Sequence, residues 1–305
     1  MAQSKKTVFE IFMDGLGIYL KHLPAFLKYM AFPVFGQIFG IIMAFALSLG
    51  FAYTIGASMG DSTLAFAITM LLAIPGLILF TKAFWEYLVA YVSICSMAEN
   101  TLKSGRIYDI NAHKKVATMS KRVGNFITLW MLFGLFTLVA ILPPMWIIAI
   151  IAFVFISLIF QVFTFEKNLS AVECFKKSFN LVKTNFGGTV GLLLFVGIST
   201  YFVLPKLLEF VLSIVQVVTL SAMLFDPIVA NILPIKQWNG AFEALGAAYM
   251  ITSLDIAKMI ISSVISGLVI SFTLPLRSIC LTLWYKQLCI SEIKSKKKRA
   301  KSDNV

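Results

Sequence analysis

The chain has 305 residues, of which 59% are hydrophobic and 13% are charged, and its formal net charge is +12. A water-soluble domain has roughly 45–50% apolar and about 25% charged residues, so this composition excludes an ordinary soluble domain. It predicts an all-α polytopic membrane protein whose excess apolar surface contacts lipid. The basic residues lie between the apolar runs rather than in one patch, which argues against nucleic acid as a partner.

Six apolar stretches are long enough to cross a bilayer, which requires about 20 residues. They cover residues 30–56, 64–97, 125–142, 145–165, 189–218 and 258–285. The second stretch is too long for one untilted span, so part of it is expected to project beyond the bilayer. Pro143 and Pro144 predict a tight turn between the third and fourth spans, while Pro75, Pro205 and Pro275 predict kinks.

A short amphipathic helix is predicted on the basic side before each pair of spans. Thr7 and Glu10 form a capping-box pattern, which Ser170 and Glu173 repeat 163 residues later, and a weaker copy lies within 111–126. We expect these helices to lie in the membrane plane, with apolar side chains toward lipid and lysines toward headgroups. The alternative is polar connectors with chance periodicity. The residues assigned to this interface are Phe12, Phe175, Lys176, Lys177, Phe179 and Lys183.

The distribution of lysine and arginine predicts the topology. Of 26 such residues, 21 fall within 1–29, 99–122, 166–186 and 286–305. The connections 57–63 and 143–144 contain none, and the mixed segment 220–255 contains only Lys236. Because cytoplasmic loops are enriched in Lys and Arg, this alternation favours six spans in the cell membrane with both termini in the cytoplasm.

These elements predict one membrane domain, residues 1–290, made of three hairpin units at about 7–99, 108–166 and 169–290. Residues 291–305 are expected to form a basic, disordered cytoplasmic tail. The tail could bind anionic lipid headgroups or serve only as a topology anchor in water. The N-terminal residues lack the continuous apolar core of a cleavable signal peptide, so the first span is expected to direct insertion.

Five ionisable residues in the predicted spans are candidate site residues, because charge is costly in lipid. Lys82 and Glu86 are four residues apart and could pair, and so could Lys206 and Glu209, which are three apart. Arg277 has no acid within reach along its own helix, so either another helix supplies one, with Glu86 as the expected partner, or the side chain snorkels to the interface. These residues form either structural ion pairs or an intramembrane polar cluster that lines a substrate cavity.

No catalytic or metal-binding motif is present. A Gly-rich phosphate loop, HExxH and GxSxG are all absent, and two histidines with no CxxC pair give no support for a metal site. Gly36 and Gly40 form a GxxxG pattern, which permits close approach of another helix or of a second copy. The four cysteines are read as ordinary reduced thiols: Cys95, Cys174, Cys280 and Cys289.

Two segments resemble a recurring pattern of bacterial multi-pass proteins. In the run from Phe165 to Phe186 an acidic residue follows a span and leads into a helix that ends Ser-x-x-x-Val-Lys-x-Asn-Phe. The last span carries Pro275 and then Thr282-Leu-Trp-Tyr285. That grouping includes YciC-like proteins and the membrane domain attached to some glycerophosphoryl diester phosphodiesterases. The resemblance implies six spans with cytoplasmic termini; the phosphodiesterase activity belongs to a separate barrel domain for which this chain has no room.

Three functional hypotheses follow. The first is a non-enzymatic protein without a cofactor, with a scaffold, lipid-organising or regulatory role. The second is a small transporter for an anionic or lipid-related substrate, suggested by the intramembrane charges and the proline kinks. The third and least favoured is a membrane-embedded enzyme, which would need clustered nucleophiles or metal ligands.

Overall fold

The computed structural model describes residues 6–55, 58–107, 110–244, 246 and 250–302. These residues are almost entirely helical and contain no strand, which confirms the all-α prediction. Six helical segments are long and apolar enough to cross a membrane, and each overlaps one predicted span. They are Leu23–Ala52, Ser62–Ser104, Ser120–Ala140, Pro143–Phe165, Phe186–Ile214 and Ser253–Ile293. The chain is therefore membrane-embedded.

Fourteen α-helices are seen in the described part of the chain. Pro143–Met145 forms a single 3₁₀ turn at the predicted hairpin, and Ile198–Val203 is a π-helical segment. The α-helices are α1 Val8–Lys21, α2 Leu23–Thr54, α3 Ser62–Ser104, α4 Ile110–Thr118, α5 Ser120–Ala140, α6 Trp146–Ile156, α7 Ile159–Phe165, α8 Ala171–Lys183, α9 Phe186–Gly197, α10 Leu204–Ile214, α11 Val217–Ile232, α12 Ile235–Ala244, α13 Ser253–Phe272 and α14 Leu274–Ser302.

The helices form two compact units. Unit 1 comprises Met1–Val196 and Leu274–Val305, and unit 2 comprises Gly197–Thr273. This grouping differs from the three predicted hairpin units, because α14 packs against α1, α3 and α8, which lie far from it in sequence. Hydropathy detects each span separately and carries no information on which helices become neighbours.

In unit 1, α2 and α3 pack with their backbones in close contact. A Cβ added at Gly40 would lie 2.5 Å from the Phe80 amide nitrogen, and one added at Gly76 would lie 2.3 Å from that of Ala44. Gly36 meets the Ala83 side chain one turn farther along. The GxxxG pattern thus provides the predicted close approach, and it does so within the chain, because α3 occupies this face of α2.

The helix α8 closes the break between α6 and α7. The Ser178 hydroxyl donates to the Phe155 carbonyl over 2.7 Å and accepts from the Leu158 amide over 3.3 Å. It satisfies two backbone groups that the break leaves unpaired. The capping box of Ser170 and Glu173 begins this helix as predicted. The sequence from Ser170 to Ser178 therefore positions the end of the fourth span.

The helix α1 is also capped as predicted, by Thr7 and Glu10, but it packs along α14 in the antiparallel direction. The Lys6 backbone bonds Gln287, and Gly15 lies against Cys280. Phe12 is only 9% exposed and packs edge-on against Phe195, with ring centroids 4.9 Å apart. The assignment of Phe12 to the lipid-facing side is therefore wrong, because α14 and α9 cover that side of the helix.

Unit 2 holds the segment for which the sequence predicted no span. Here α11 and α12 form a pair bent by 77°, which raises the number of candidate spans to seven if the pair is counted as one. Ala222 and Val229 of α11 pack on Ala257 of α13 in a small apolar core. A capping box not noticed in the sequence, formed by Thr252 and Asp255, begins α13.

The last helix continues farther than expected. The backbone of α14 is helical as far as Ser302, whereas the sequence predicted a disordered tail from residue 291. Lysine and arginine have good helix propensity, so a basic run that follows an apolar helix can extend it. The side chains of residues 294–302 lie outside the described part of the chain.

Candidate functional site

A polar cavity of about 570 Å³ lies in unit 1, where the C-terminal parts of α3 and α7 meet the middle of α14. It opens among connectors that the sequence identified as basic. Two carboxylates and two lysines line it. Its lining residues are Ser96, Glu99, Val116, Thr164, Phe165, Glu166, Lys167, Tyr285, Lys286, Cys289 and Ile290.

The two segments that carry the family resemblance meet in this cavity. The Tyr285 hydroxyl donates to the Glu166 carboxylate over 3.2 Å, and the Tyr285 ring stacks on Phe165 with centroids 5.4 Å apart. One residue earlier, the Trp284 indole donates to the Thr189 hydroxyl over 2.9 Å. Gly188 leaves room for that indole, since an added Cβ would lie 2.7 Å from it.

A second contact ties α3 to α14. The Glu99 carboxylate lies 3.0 Å from the Lys286 ammonium and 3.0 Å from that of Lys103. Lys286 also lies over the Phe165 ring, 5.5 Å from its centroid. Sequence reasoning did not place Glu99, Glu166 or Tyr285 among the candidate site residues, although Glu166 and Tyr285 lie in the segments that carry the resemblance. The available signal was that both acids lie at span ends inside connectors that are otherwise basic.

Lys177 and Glu292 join α8 to α14 on the rim of this region, with an ammonium–carboxylate distance of 3.1 Å. Both side chains are about 30% exposed. Lys177 was assigned to the lipid headgroups, and in the fold its ammonium pairs with Glu292 of the same chain. Exposed ion pairs stabilise little, but this one belongs to a series of cross-helix contacts that all end on α14.

The remaining interfacial residues of α8 divide between two faces. Lys176 and Lys183 are exposed, as is Phe179, which packs against Phe155 with centroids 4.5 Å apart. Phe175 is half-buried. Val182, seven residues after Phe175 and so close to the same helix face, is fully buried. The apolar stripe of this helix is thus shared between the protein core and the surface.

The span charges of unit 1 do not assemble into one polar cluster. Glu86 pairs with Lys114 of α4, at 2.6 Å, rather than with Lys82 or Arg277 as predicted. The ammonium of Lys82 lies 5.8 Å from the centroid of the Phe32 ring. Arg277 is 9% exposed and its charge acts on Tyr19 of α1. The three charges therefore lie in three separate environments: Glu86 is paired with α4, Arg277 lies near α1, and Lys82 lies over an aromatic ring of α2.

In unit 2, Lys206 and Glu209 face each other as predicted. Their charged groups lie 2.7 Å apart, and Glu209 also interacts with Ser262 of α13. The Lys206 side chain is 75% exposed. This geometry is that of a surface ion pair at a helix start, directly after Pro205.

Ser96 and His113 are the one feature that resembles a catalytic pair in the described residues. The Ser96 hydroxyl lies 2.9 Å from Nδ1 of His113, and His113 is buried. Ser96 lies inside the long helix α3, however, about two turns before its end at Ser104. The neighbouring amides are used in the helix, so they cannot supply the oxyanion donors that acyl transfer needs.

Three pKa shifts outside the spans bear on these assignments. Hydrogen bonds from Thr7 and Ser170 lower the pKa of Glu10 and Glu173 respectively, which fits their role in the capping boxes. Burial raises the pKa of the Cys174 thiol to about 11, so this cysteine is not a thiolate nucleophile at neutral pH. All four cysteines are free, and the part of the chain described here contains no group of three potential metal ligands.

A second concave feature lies on the lipid-exposed face of α3. This groove, of about 590 Å³, is mostly apolar and carries a lysine at one end. Its lining residues are Ile74, Leu77, Ile78, Thr81, Lys82 and Trp85.

Comparison with family models, with curated proteins and with solved structures gives no match for this chain.

Proposed function

We propose that this chain is a non-enzymatic protein of the cell membrane, with both termini in the cytoplasm, that acts as a scaffold and organises lipid or regulates a partner at its basic side. We further propose that it is a distant member of the YciC-like grouping. The observation that supports the first proposal best is the local pairing of charges. Glu86, Glu99 and Glu166 each contact a basic or hydroxyl side chain from a neighbouring helix.

This pairing argues against a transport pathway through unit 1. A translocation site must release its substrate, so its charged groups must be available to the substrate in at least one state. Here the carboxylates of the polar cavity hold α3 and α7 to α14. Such contacts fix helices relative to one another, which is what a scaffold requires.

The proposed membership in the YciC-like grouping is supported by the two segments that carry the resemblance. Its two segments, one near Glu166 and one ending at Tyr285, are 119 residues apart in sequence and form a hydrogen bond. A short motif pair that meets in the fold is best explained by a shared structural contact. Six spans with an even topology are also what the grouping implies.

The test is a flux and hydrolysis assay on purified protein in liposomes. We expect no uptake of organic phosphates or lipid precursors above that of protein-free liposomes, and no labelling of Ser96 by a fluorophosphonate probe. Saturable uptake that Glu99→Gln abolishes while Glu243→Gln retains would overturn the scaffold proposal. Labelling lost in Ser96→Ala would overturn the non-enzymatic proposal.

A second candidate, a small transporter, is favoured by unit 2. The bent pair of α11 and α12 and the π-helical segment Ile198–Val203 are the kind of interrupted helices that form binding sites in transporters. One carboxylate oxygen of Asp226, next to Pro227 within α11, is buried without a hydrogen-bond partner in the described residues. This candidate predicts uptake that Asp226→Asn reduces and Lys236→Gln does not.

A further inference from the structure

The groove on α3 combines an apolar floor with a cation at one end. Four of its six lining residues, Ile74, Leu77, Ile78 and Trp85, present apolar surface. Thr81 adds no free polar group, because its hydroxyl donates to the Leu77 carbonyl over 2.8 Å. The ammonium of Lys82 is therefore the one charged group in the groove.

The position of Lys82 along α3 sets its depth in the bilayer. Ser62–Thr81 is a run of 20 residues without a charge at the start of the helix. At about 1.5 Å per residue this run is about 30 Å long, which equals the thickness of the hydrocarbon core. Lys82 and Trp85 thus follow the run at the level of the phosphate layer, where lysine and tryptophan are both favoured.

Lys82 is available to an anion from outside the chain. The acid one turn away, Glu86, is taken by Lys114, and no ion pair or hydrogen bond of Lys82 is present among the described residues. The Lys82 ammonium lies over the face of Phe32 on α2. Lys28 is exposed one turn before Phe32 on the same helix face, so the charge at this end of the groove is positive.

We propose that this groove binds one anionic phospholipid, with its phosphate at Lys82 and an acyl chain along Ile74 and Ile78. The proposal rests on the proposed topology, which places this end of α3 in the cytoplasmic leaflet. An anionic headgroup complements Lys82 and Lys28, and an acyl chain covers apolar surface that a soluble anion would leave bare. Binding of this lipid is one part of the lipid-organising role proposed above.

The experiment measures lipid retention by native mass spectrometry of the full chain in detergent, titrated with phosphatidylglycerol or with phosphatidylcholine. We expect one tightly retained phosphatidylglycerol and only weak adducts of phosphatidylcholine. Lys82→Gln should weaken phosphatidylglycerol binding about fivefold, the factor expected for one lysine charge near a bilayer surface. Lys115→Gln, which removes an exposed lysine elsewhere, should leave it unchanged.

The Ile78→Trp variant tests the apolar groove without changing any charge. It fills the groove, so it should displace the lipid while Lys82 is intact. Equal losses in Lys82→Gln and Lys115→Gln, or no effect of Ile78→Trp, would overturn the site. Those results would leave the scaffold proposal standing, because that proposal is decided by the flux and hydrolysis assays. Competition by inorganic phosphate at a concentration equal to that of phosphatidylglycerol would also overturn the lipid site, since the apolar groove would then contribute nothing to binding.

Discussion

The two compact units differ in where they place polar side chains. In unit 1, Ser178 and Trp284 bond across helices at buried positions, and their partners are backbone groups or a buried hydroxyl. In unit 2, the buried hydroxyl of Thr273 bonds the carbonyls of its own helix, and the Lys206–Glu209 pair is exposed. A buried cross-helix hydrogen bond fixes one arrangement of helices, because the unpaired alternative is costly in an apolar environment.

In unit 2, large apolar side chains lie at the surface rather than in the core. Its core is small, formed by Ala222, Val229 and Ala257, while large side chains such as Phe202 and Leu224 are 67% and 77% exposed. Packing in lipid depends on van der Waals contact between small residues more than on hydrophobic burial. Buried cross-helix hydrogen bonds thus fix unit 1, whereas unit 2 joins α10 to α13 through the Glu209–Ser262 contact and leaves large apolar side chains exposed.

The largest expected effect concerns the close contact of α2 and α3. Gly76→Leu should cost about 3 kcal/mol or more, because its Cβ would lie 2.3 Å from the Ala44 amide nitrogen and the backbones must separate. Gly267→Leu in unit 2 is the matched control, as nothing lies within 4 Å of a Cβ there. Thermal unfolding in detergent measures both. Equal stability of the two variants would contradict the packing described.

The next effect concerns buried hydroxyls. Ser178→Ala should cost about 1–3 kcal/mol, since the Leu158 amide would lose its partner at a buried break between helices. Ser213→Ala in unit 2 removes an exposed hydroxyl bonded to its own helix and should change stability by less than about 0.5 kcal/mol. The same unfolding assay compares them. If Ser213→Ala cost as much, the proposed difference between the units would be lost.

A smaller effect should depend on pH. Hydrogen bonds from Ser170 lower the pKa of Glu173 in the folded state below the usual value of 4.5. Its contribution to stability is therefore present above pH 4.5 and is lost as the pH falls through the lowered pKa. Glu173→Gln should be slightly less stable than wild type at pH 7, and the gap should close in acid. A gap that widens in acid would show that the carboxylate does not act as a cap.

The smallest effect is expected at Lys206. Replacement by Gln should change the stability of unit 2 by less than about 0.5 kcal/mol, because the ammonium is largely exposed and its pairing is screened by solvent. A loss of more than about 2 kcal/mol would mean that this pair is buried by lipid or by another chain. Raising the ionic strength should remove any remaining difference in stability between wild type and Lys206→Gln.

The sequence predicted what depends on local composition. Run lengths of apolar residues located the six spans, and the Ser170–Glu173 spacing located a helix start to the residue. Both signals are short-range: transfer into lipid depends on each segment alone, and a capping box closes within one turn. The seventh candidate, the bent pair of α11 and α12, was missed because Asp226, Pro227 and Pro234 interrupt its hydropathy.

The candidate site could not be predicted in the same way. The contact of Glu166 with Tyr285 joins residues 119 positions apart, and Lys286 with Glu99 joins residues 187 apart. Which helices become neighbours depends on shape, such as the indole of Trp284 over Gly188, and a single sequence does not display such a match. Phe12 illustrates the same limit, since amphipathicity predicts an apolar face but does not say whether lipid or protein covers it.

The central claim is that the basic connectors share the cytoplasmic side with both termini. It is tested most directly by labelling intact cells with a membrane-impermeant maleimide, using single cysteines at Asp61→Cys and Lys103→Cys and a protease-accessible C-terminal tag, after the native cysteines are replaced by alanine. The account predicts labelling at position 61, protection at position 103, and a tag accessible only after lysis. A tag exposed on intact cells while position 103 stays protected would mean an odd number of spans and would contradict the account.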